Sequence, residues 1–234
     1  MTVRYHTVTN GRSPRELYLL MHAHFGDLEW WPADGPFEVM VGAVLTQRTA
    51  WRNAEVALGL MRTAGIVDVD ALLATPQEEL EALVRPSGTY RQKAARLRAL
   101  FQAVRGYGAG TIDGFLDRPV GPLRKDLLAI KGVGPETADS IILYAAGGPV
   151  FVVDAYTRRV LDRLGVDAGR SYDDVARWFT DGLPRDAALF NNYHAALVEL
   201  AKGFCRPVPT CDGCPLRRVC PTGQDSSLWE RIQP

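Results

Sequence analysis

An all-α fold follows from three features of this sequence. Apolar residues recur at helical spacing through its longer segments. Pro, Gly, Ser and Asp punctuate those segments at the places where helices start and stop. The one run with strand character, Phe151-Val152-Val153, is too short to pair convincingly. Neither an internal repeat nor a low-complexity segment interrupts the pattern.

The first helix starts at Ser13 and runs through 15–25 with Leu17, Leu20 and Met21 on one face, ending near Gly26. Residues 27–36 form a Gly- and Pro-containing loop that carries adjacent Trp30 and Trp31. Residues 37–60 read as helices that turn Phe37, Val41, Val44 and Leu45 inward, with Thr46-Gln47-Arg48-Thr49 as a polar break. A connector leads to a helix whose start carries a capping-box pattern, Thr75 and Glu78, around Pro76. Pro86, Ser87 and Gly88 end it, and 90–107 is a long basic helix. Helices at 120–130, 135–146, 155–164, 172–180 and 187–203 then precede a cysteine-bearing tail.

The 234 residues suffice for one large or two small domains, and 47% hydrophobic residues are enough for a real core. No stretch approaches the roughly 18 uninterrupted apolar residues of a membrane span. The segment 1–7 lacks a signal-peptide apolar block, so a cytoplasmic location is expected. With 27 basic and 27 acidic residues, net charge alone does not mark a nucleic-acid binder. Distribution says more. One basic cluster holds Arg85, Arg91, Lys93, Arg96 and Arg98, a second Arg118, Arg124, Lys125 and Lys131, and a third Lys202, Arg206, Arg217 and Arg218. Any one of them taken alone reads first as a solvated helix face. Set against Glu78, Glu79 and Glu81, together they describe a one-sided field.

Residues 127–159 concentrate the chemistry. Gly132-Val133-Gly134 makes a tight turn between two apolar-periodic helices, and Pro135 suits the first turn of the second. The amides around Gly132, Gly134 and Glu136 then point outward with the positive end of a helix dipole behind them, a phosphate cradle indifferent to base sequence. After the apolar run 149–153, Asp154 sits at the start of another helix. A Gly-x-Gly turn alone is common, and Asp154 alone also reads as an N-cap. Their joint spacing is the distinctive feature.

Leu-x-x-Ile-Lys-Gly-Val-Gly-Pro-Glu-Thr-Ala-Asp at 127–139, followed by Val152-Val153-Asp154, resembles the helix-hairpin-helix, Gly/Pro-rich loop, Asp superfamily of DNA glycosylases, in its endonuclease III branch. The resemblance implies a six-helix barrel at about 36–148 and a second domain from 1–35 plus 149–234, with a DNA-binding cleft between them. It further implies double-stranded DNA containing damaged bases as partner, no membrane, and a monomer.

Four cysteines fall within 16 residues, Cys205-x5-Cys211-x2-Cys214-x5-Cys220, bunched as metal ligands rather than scattered as disulfides. Zinc sites generally use two close pairs; a single close pair flanked by longer loops suits the corners of a 4Fe–4S cluster, with zinc as the alternative. The endonuclease III branch carries such a cluster at its C-terminus, usually with a first gap of six residues where this chain has five. Its expected role is to stiffen a loop that offers Arg206, Arg217 and Arg218 to phosphates.

Breaking an N-glycosidic bond builds positive charge on the sugar, which a carboxylate at hydrogen-bond range stabilises while it orients water. Asp154 is the candidate. Base extrusion also needs a side chain to fill the gap, and Gln47 matches the family's position for that plug. Bifunctional members place a nucleophilic lysine two residues after the Gly-x-Gly; this chain has Glu136, which cannot form an imine. Lys131, Gly132, Val133, Gly134 and Glu136 form the expected phosphate contact.

Trp30-Trp31-Pro32, 42–47, and Pro86-Ser-Gly-x-Tyr90-x-Gln-Lys93-Ala resemble the 3-methyladenine glycosylases of that branch. Alkylated purines carry delocalised positive charge, which electron-rich rings select by stacking. Trp30, Trp31 and Trp51 are the candidate cradle, the flipped base stacking between the Trp51 position and the Trp-Trp-Pro loop. Some of those relatives have a lysine after the catalytic aspartate, where this chain has Ala155, and some lack the four cysteines. The expected activity is monofunctional release of alkylated purines. An endonuclease III-like lyase on oxidised pyrimidines and a non-catalytic binder of damaged DNA are the competing readings.

Overall fold

The computed structural model describes residues 12–28, 30, 31 and 33–224. The N-terminal segment 1–7 considered above, and Pro32 of the Trp-Trp-Pro loop, lie outside the described residues. Regular structure among the described residues is all helical, and none of these helices is long and apolar enough to cross a membrane. The chain divides into two compact units: a middle unit, Trp31–Val150, and a terminal unit built from Met1–Trp30 with Phe151–Pro234.

The middle unit holds α1 (Pro36–Leu45), α2 (Trp51–Thr63), α3 (Val69–Ala74), α4 (Gln77–Leu83), α5 (Tyr90–Arg105), α6 (Ile112–Leu116), α7 (Val120–Ala129) and α8 (Pro135–Tyr144). Every residue of α1 from Phe37 to Leu45 is buried, so it is the central helix. Its one charge, Glu38, accepts from Arg62 at 2.7 and 3.0 Å and from the Asp34 N–H at 3.0 Å, as a buried carboxylate must be paired. Around α1 pack Leu58 and Met61, Leu97 and Phe101, and Ile141 and Ile142.

Three sequence expectations need correction here. The connector contains α3, a six-residue helix capped by Asp68 and held by buried Val69 and Leu72. Thr75 does not start a capping box; its hydroxyl donates to the Ala71 carbonyl and closes α3, while Pro76 occupies the next N-cap. The first basic cluster is only partly a surface field. Lys93 is fully buried, with its ammonium donating to the Leu45 and Ser87 carbonyls, and Arg98 binds the Leu73 and Thr75 carbonyls. Burial, and after it the nearby Arg96 charge, pushes the Lys93 ammonium down to about 8.

The terminal unit holds α9 (Pro14–Phe25), α10 (Ala155–Leu164), α11 (Tyr172–Asp181), α12 (Ala187–Gly203) and the short α13 (Pro221–Gln224). Ser13 and Glu16 cap α9 reciprocally, and Leu17 and Met21 are buried, but Leu20 is 37% exposed because it falls at the edge of the apolar stripe. The extended segment Phe151, Val152 and Val153 is buried without pairing as a strand, and Phe151 stacks on Phe179 at 3.7 Å. The Tyr193 hydroxyl, fully buried, donates to the Pro14 carbonyl at 2.9 Å and ties α12 to the start of α9.

Candidate active site and cysteine cage

Asp154 is both the N-cap of α10 and a carboxylate with an oxygen to spare. Its Oδ1 accepts from the Thr157 N–H at 2.7 Å and from the Thr157 hydroxyl at 2.9 Å. Its Oδ2 lies 3.6 Å from His194 Nε2, on α12. The side chain is 15% exposed, so it is partly buried without being sealed. Burial taken alone would raise its pKa; His194 and the two Thr157 donors together outweigh that and hold Asp154 below the ordinary aspartate value. It is therefore ionised at neutral pH. The Tyr172 hydroxyl accepts from the Val153 N–H at 3.3 Å and fixes the approach to this cap.

Trp30 belongs to the same unit. Its ring meets His194 edge-on at 6.5 Å, with the Lys202 ammonium 5.2 Å from its centroid.

In the middle unit, α7 and α8 form the hairpin that the sequence places there. Arg124 on α7 pairs with buried Asp139 on α8 at 2.7 and 3.1 Å, which clamps the two helices. That arginine and Arg118, whose side chain is 6% exposed and stacks over Tyr107 and Phe115, serve the fold rather than a surface field. Between the helices Gly132 has φ +91°, and Val133 turns its side chain into the core while its N–H donates to the Ile130 carbonyl. Lys131, Gly132 and Glu136 are exposed, and Gly134 is the N-cap of α8 with Pro135 in its first turn. A helix start of this kind leaves amides without intrahelical acceptors. A Cβ at position 132 would also stand 2.5 Å from Arg96 Cγ, so glycine is required by shape as well as by φ.

Gln47 is moored to this turn. Its amide donates to the Gly132 carbonyl at 3.1 Å and the Thr137 hydroxyl at 2.9 Å, and accepts from Arg96 at 2.5 Å. The neighbouring Arg48 adopts φ +55°, an unusual conformation for a side-chain-bearing residue.

Trp31 and Trp51, two of the three candidate tryptophans, belong to the middle unit. Trp31 and Trp51 meet edge to face, 5.4 Å between centroids at 69°, rather than as parallel plates. Trp31 stacks instead on Tyr144 at 4.8 Å and 25°, a partner the sequence reading missed. Its φ is +67°, its ring lies against Gly42, and a Cβ there would approach Trp31 Cζ2 to 3.2 Å. The Trp31 indole N–H is buried without an acceptor among the described residues.

Cys205, Cys211, Cys214 and Cys220 line one cavity together with Arg163, Leu164, Leu200, Phe204 and Leu216. Burial first, and the neighbouring thiols after it, push Cys211 up to about 11; burial likewise takes Cys214 to about 11. Loading a metal must therefore displace protons. Arginines fasten the loop from behind: Arg159 donates to the Cys205 carbonyl, Arg163 to the Arg206 and Pro207 carbonyls and to Cys205 Sγ, and Arg12 to the Leu164 and Val219 carbonyls. Arg217 pairs with Asp212 at 2.7 Å, whereas Arg218 is exposed.

Comparison with known proteins supplies the family. The model of the HhH-GPD superfamily of base excision DNA repair proteins matches residues 41–185. A protein of Methanocaldococcus jannaschii named as a candidate DNA repair glycosylase is 40% identical over 207 residues, 88% of this chain and 94% of its own length. Endonuclease III of Thermotoga maritima is 30% identical over 187 residues, 79% of this chain and 82% of its own. Among solved structures, the 3-methyladenine DNA glycosylase of H. pylori bound to 1,N6-ethenoadenine superposes with a TM-score of 0.72 at 28% identity, covering 81% of this chain and 97% of that one.

Proposed function

Since the chain belongs to the HhH-GPD superfamily of base excision DNA repair proteins, and is thus a base-excision-repair DNA glycosylase, we propose that it hydrolyses the N-glycosidic bond of alkylated purines with water as nucleophile. The observation that carries this reading is Asp154: one oxygen locked by Thr157, the other available, and the charge retained against burial. As the bond to the base lengthens, that charge faces the developing oxocarbenium ion and the same oxygen takes the proton of the attacking water. Glu136, exposed at the hairpin position where bifunctional relatives carry a lysine, offers no amine for a Schiff base.

DNA enters this reading through the hairpin. Lys131 and the amides of Gly132, Gly134 and Glu136 grip a phosphate, while buried Val133 keeps the turn in shape. Gln47, tethered beside that grip, fills the gap left by the extruded nucleotide. Trp31, Trp51 and Tyr144 supply electron-rich rings for a cationic base.

The four cysteines would hold a 4Fe–4S cluster. Four thiols round one cavity, spaced as one close pair flanked by two longer loops, fit a multi-iron centre better than the two close pairs of a zinc site. When bound, the cluster contributes iron–thiolate cross-links that brace the loop; the glycosidic reaction does not pass through it.

A panel of duplexes carrying single lesions tests the substrate class. Alkylated purines such as 3-methyladenine are expected to be released at least about tenfold faster than oxidised pyrimidines. Release confined to oxidised pyrimidines would favour the lyase reading. Tight binding of lesion DNA with no base released in a single turnover would favour a non-catalytic binder.

A further inference from the structure

We infer that His194 is the positioning residue for Asp154, an inference that rests on the hydrolytic reading of Asp154 above. The carboxylate is fixed at one oxygen only: Oδ1 receives both Thr157 donors, and a carboxylate held at one end can still swing the other. Oδ2 faces the imidazole of His194, with Nε2 at 3.6 Å and the ring side chain 6% exposed. That separation is slightly too long for a hydrogen bond, and too short for a water molecule between the two atoms. A bare ring nitrogen would turn its lone pair on the carboxylate, so Nε2 carries the proton and points it at Oδ2. Trp30 meets the His194 ring edge-on at 6.5 Å and is itself covered by the Lys202 ammonium, so the imidazole is packed rather than loose.

A small closure converts this facing pair into a hydrogen bond and leaves the carboxylate with a single orientation toward the sugar. The proton stays on Nε2 throughout; no bond forms or breaks at the imidazole. His194 thus acts through Asp154 and touches neither base nor sugar. It comes from α12, forty residues downstream of Asp154.

The test compares His194→Phe, His194→Gln and Asp154→Asn with the native protein, measuring single-turnover base release and affinity for lesion duplex separately. His194→Phe keeps a flat ring without the donor and is expected to slow release by roughly 10–100-fold with affinity unchanged. His194→Gln can present an N–H at the position of Nε2 and is expected to recover most of that loss. Native-rate release by His194→Phe, with Asp154→Asn inactive, would overturn the inference while leaving the hydrolytic reading intact. Native-rate release by Asp154→Asn would instead sink the reading itself. Equal losses in the Phe and Gln variants would reduce His194 to a packing role and also overturn the inference. Should His194→Phe fail to fold, side-chain nitrogen NMR of the native protein decides: Nε2 protonated is expected, and an unprotonated Nε2 contradicts it.

Discussion

Asp154→Asn is expected to lower single-turnover base release by roughly 10²–10³-fold or more, with affinity for lesion DNA nearly unchanged and the helix cap retained. The separation of these effects follows from the two jobs of the side chain. As an N-cap, asparagine is about as good as aspartate, because its carbonyl can still accept the Thr157 N–H and hydroxyl. As a charge stabiliser it has nothing to offer a cationic sugar. Asp154→Ala is a poorer test, since it also removes the cap, at about 1 kcal/mol. The pH dependence has a defined sign. Burial opposes ionisation of Asp154, but His194 and Thr157 more than offset it, so its folded pKa lies below the ordinary aspartate value. The activity limb due to this group, and the stability its ionisation contributes, should both persist above the unfolded pKa and disappear only as pH falls through the lower, folded value.

Cys214→Ser is expected to have the largest effect on stability. Serine is a poor iron ligand, and losing a structural metal centre is among the few single changes that remove more than about 4 kcal/mol. For a chain of this size that lowers Tm by roughly 10 °C or more. The purified native protein should contain iron and sulfide and absorb visible light, and the variant should lose both properties along with the stability. The arginines that fasten the loop reach the backbone carbonyls of Cys205, Arg206, Pro207 and Val219. They preserve its path but not its thiolate cross-links, so they should not rescue the variant. Stoichiometric zinc in the native protein, or unchanged Tm in the variant, would contradict the cluster assignment.

Much of this fold is legible in the sequence where a cap and an amphipathic stripe coincide. The helices at 155–164 and 187–203 have the expected bounds because Asp154 with Gly165, and Asp186, mark their ends. The helix of Val69–Ala74 escaped notice because six residues with two buried positions carry little periodicity. Lys93 is a different failure. It falls in phase with Ala94, Leu97, Leu100 and Phe101 on the buried face of its helix, and grouping it by charge hid what its phase declares. Arg98, Arg118 and Arg124 were grouped in the same way, and each turns out to bind carbonyls, aromatic rings or a buried carboxylate.

At the candidate site, the hairpin glycines and Asp154 could be read because their chemistry depends on local spacing. Thr157, three residues after Asp154, was in principle legible as the partner of an N-cap. Tyr144 and His194 were not. Each becomes relevant only through tertiary packing, against Trp31 and Asp154 respectively, and neither residue has a local pattern that announces it.

The most direct test of hydrolysis guided by Asp154 is a single-turnover reaction on a duplex with one alkylated purine, run with and without borohydride. Free base, an intact strand and no trapped protein–DNA adduct are the expected outcome. A covalent adduct that accumulates with borohydride, accompanied by strand cleavage, would mean that an amine rather than water attacks the sugar, and would contradict it.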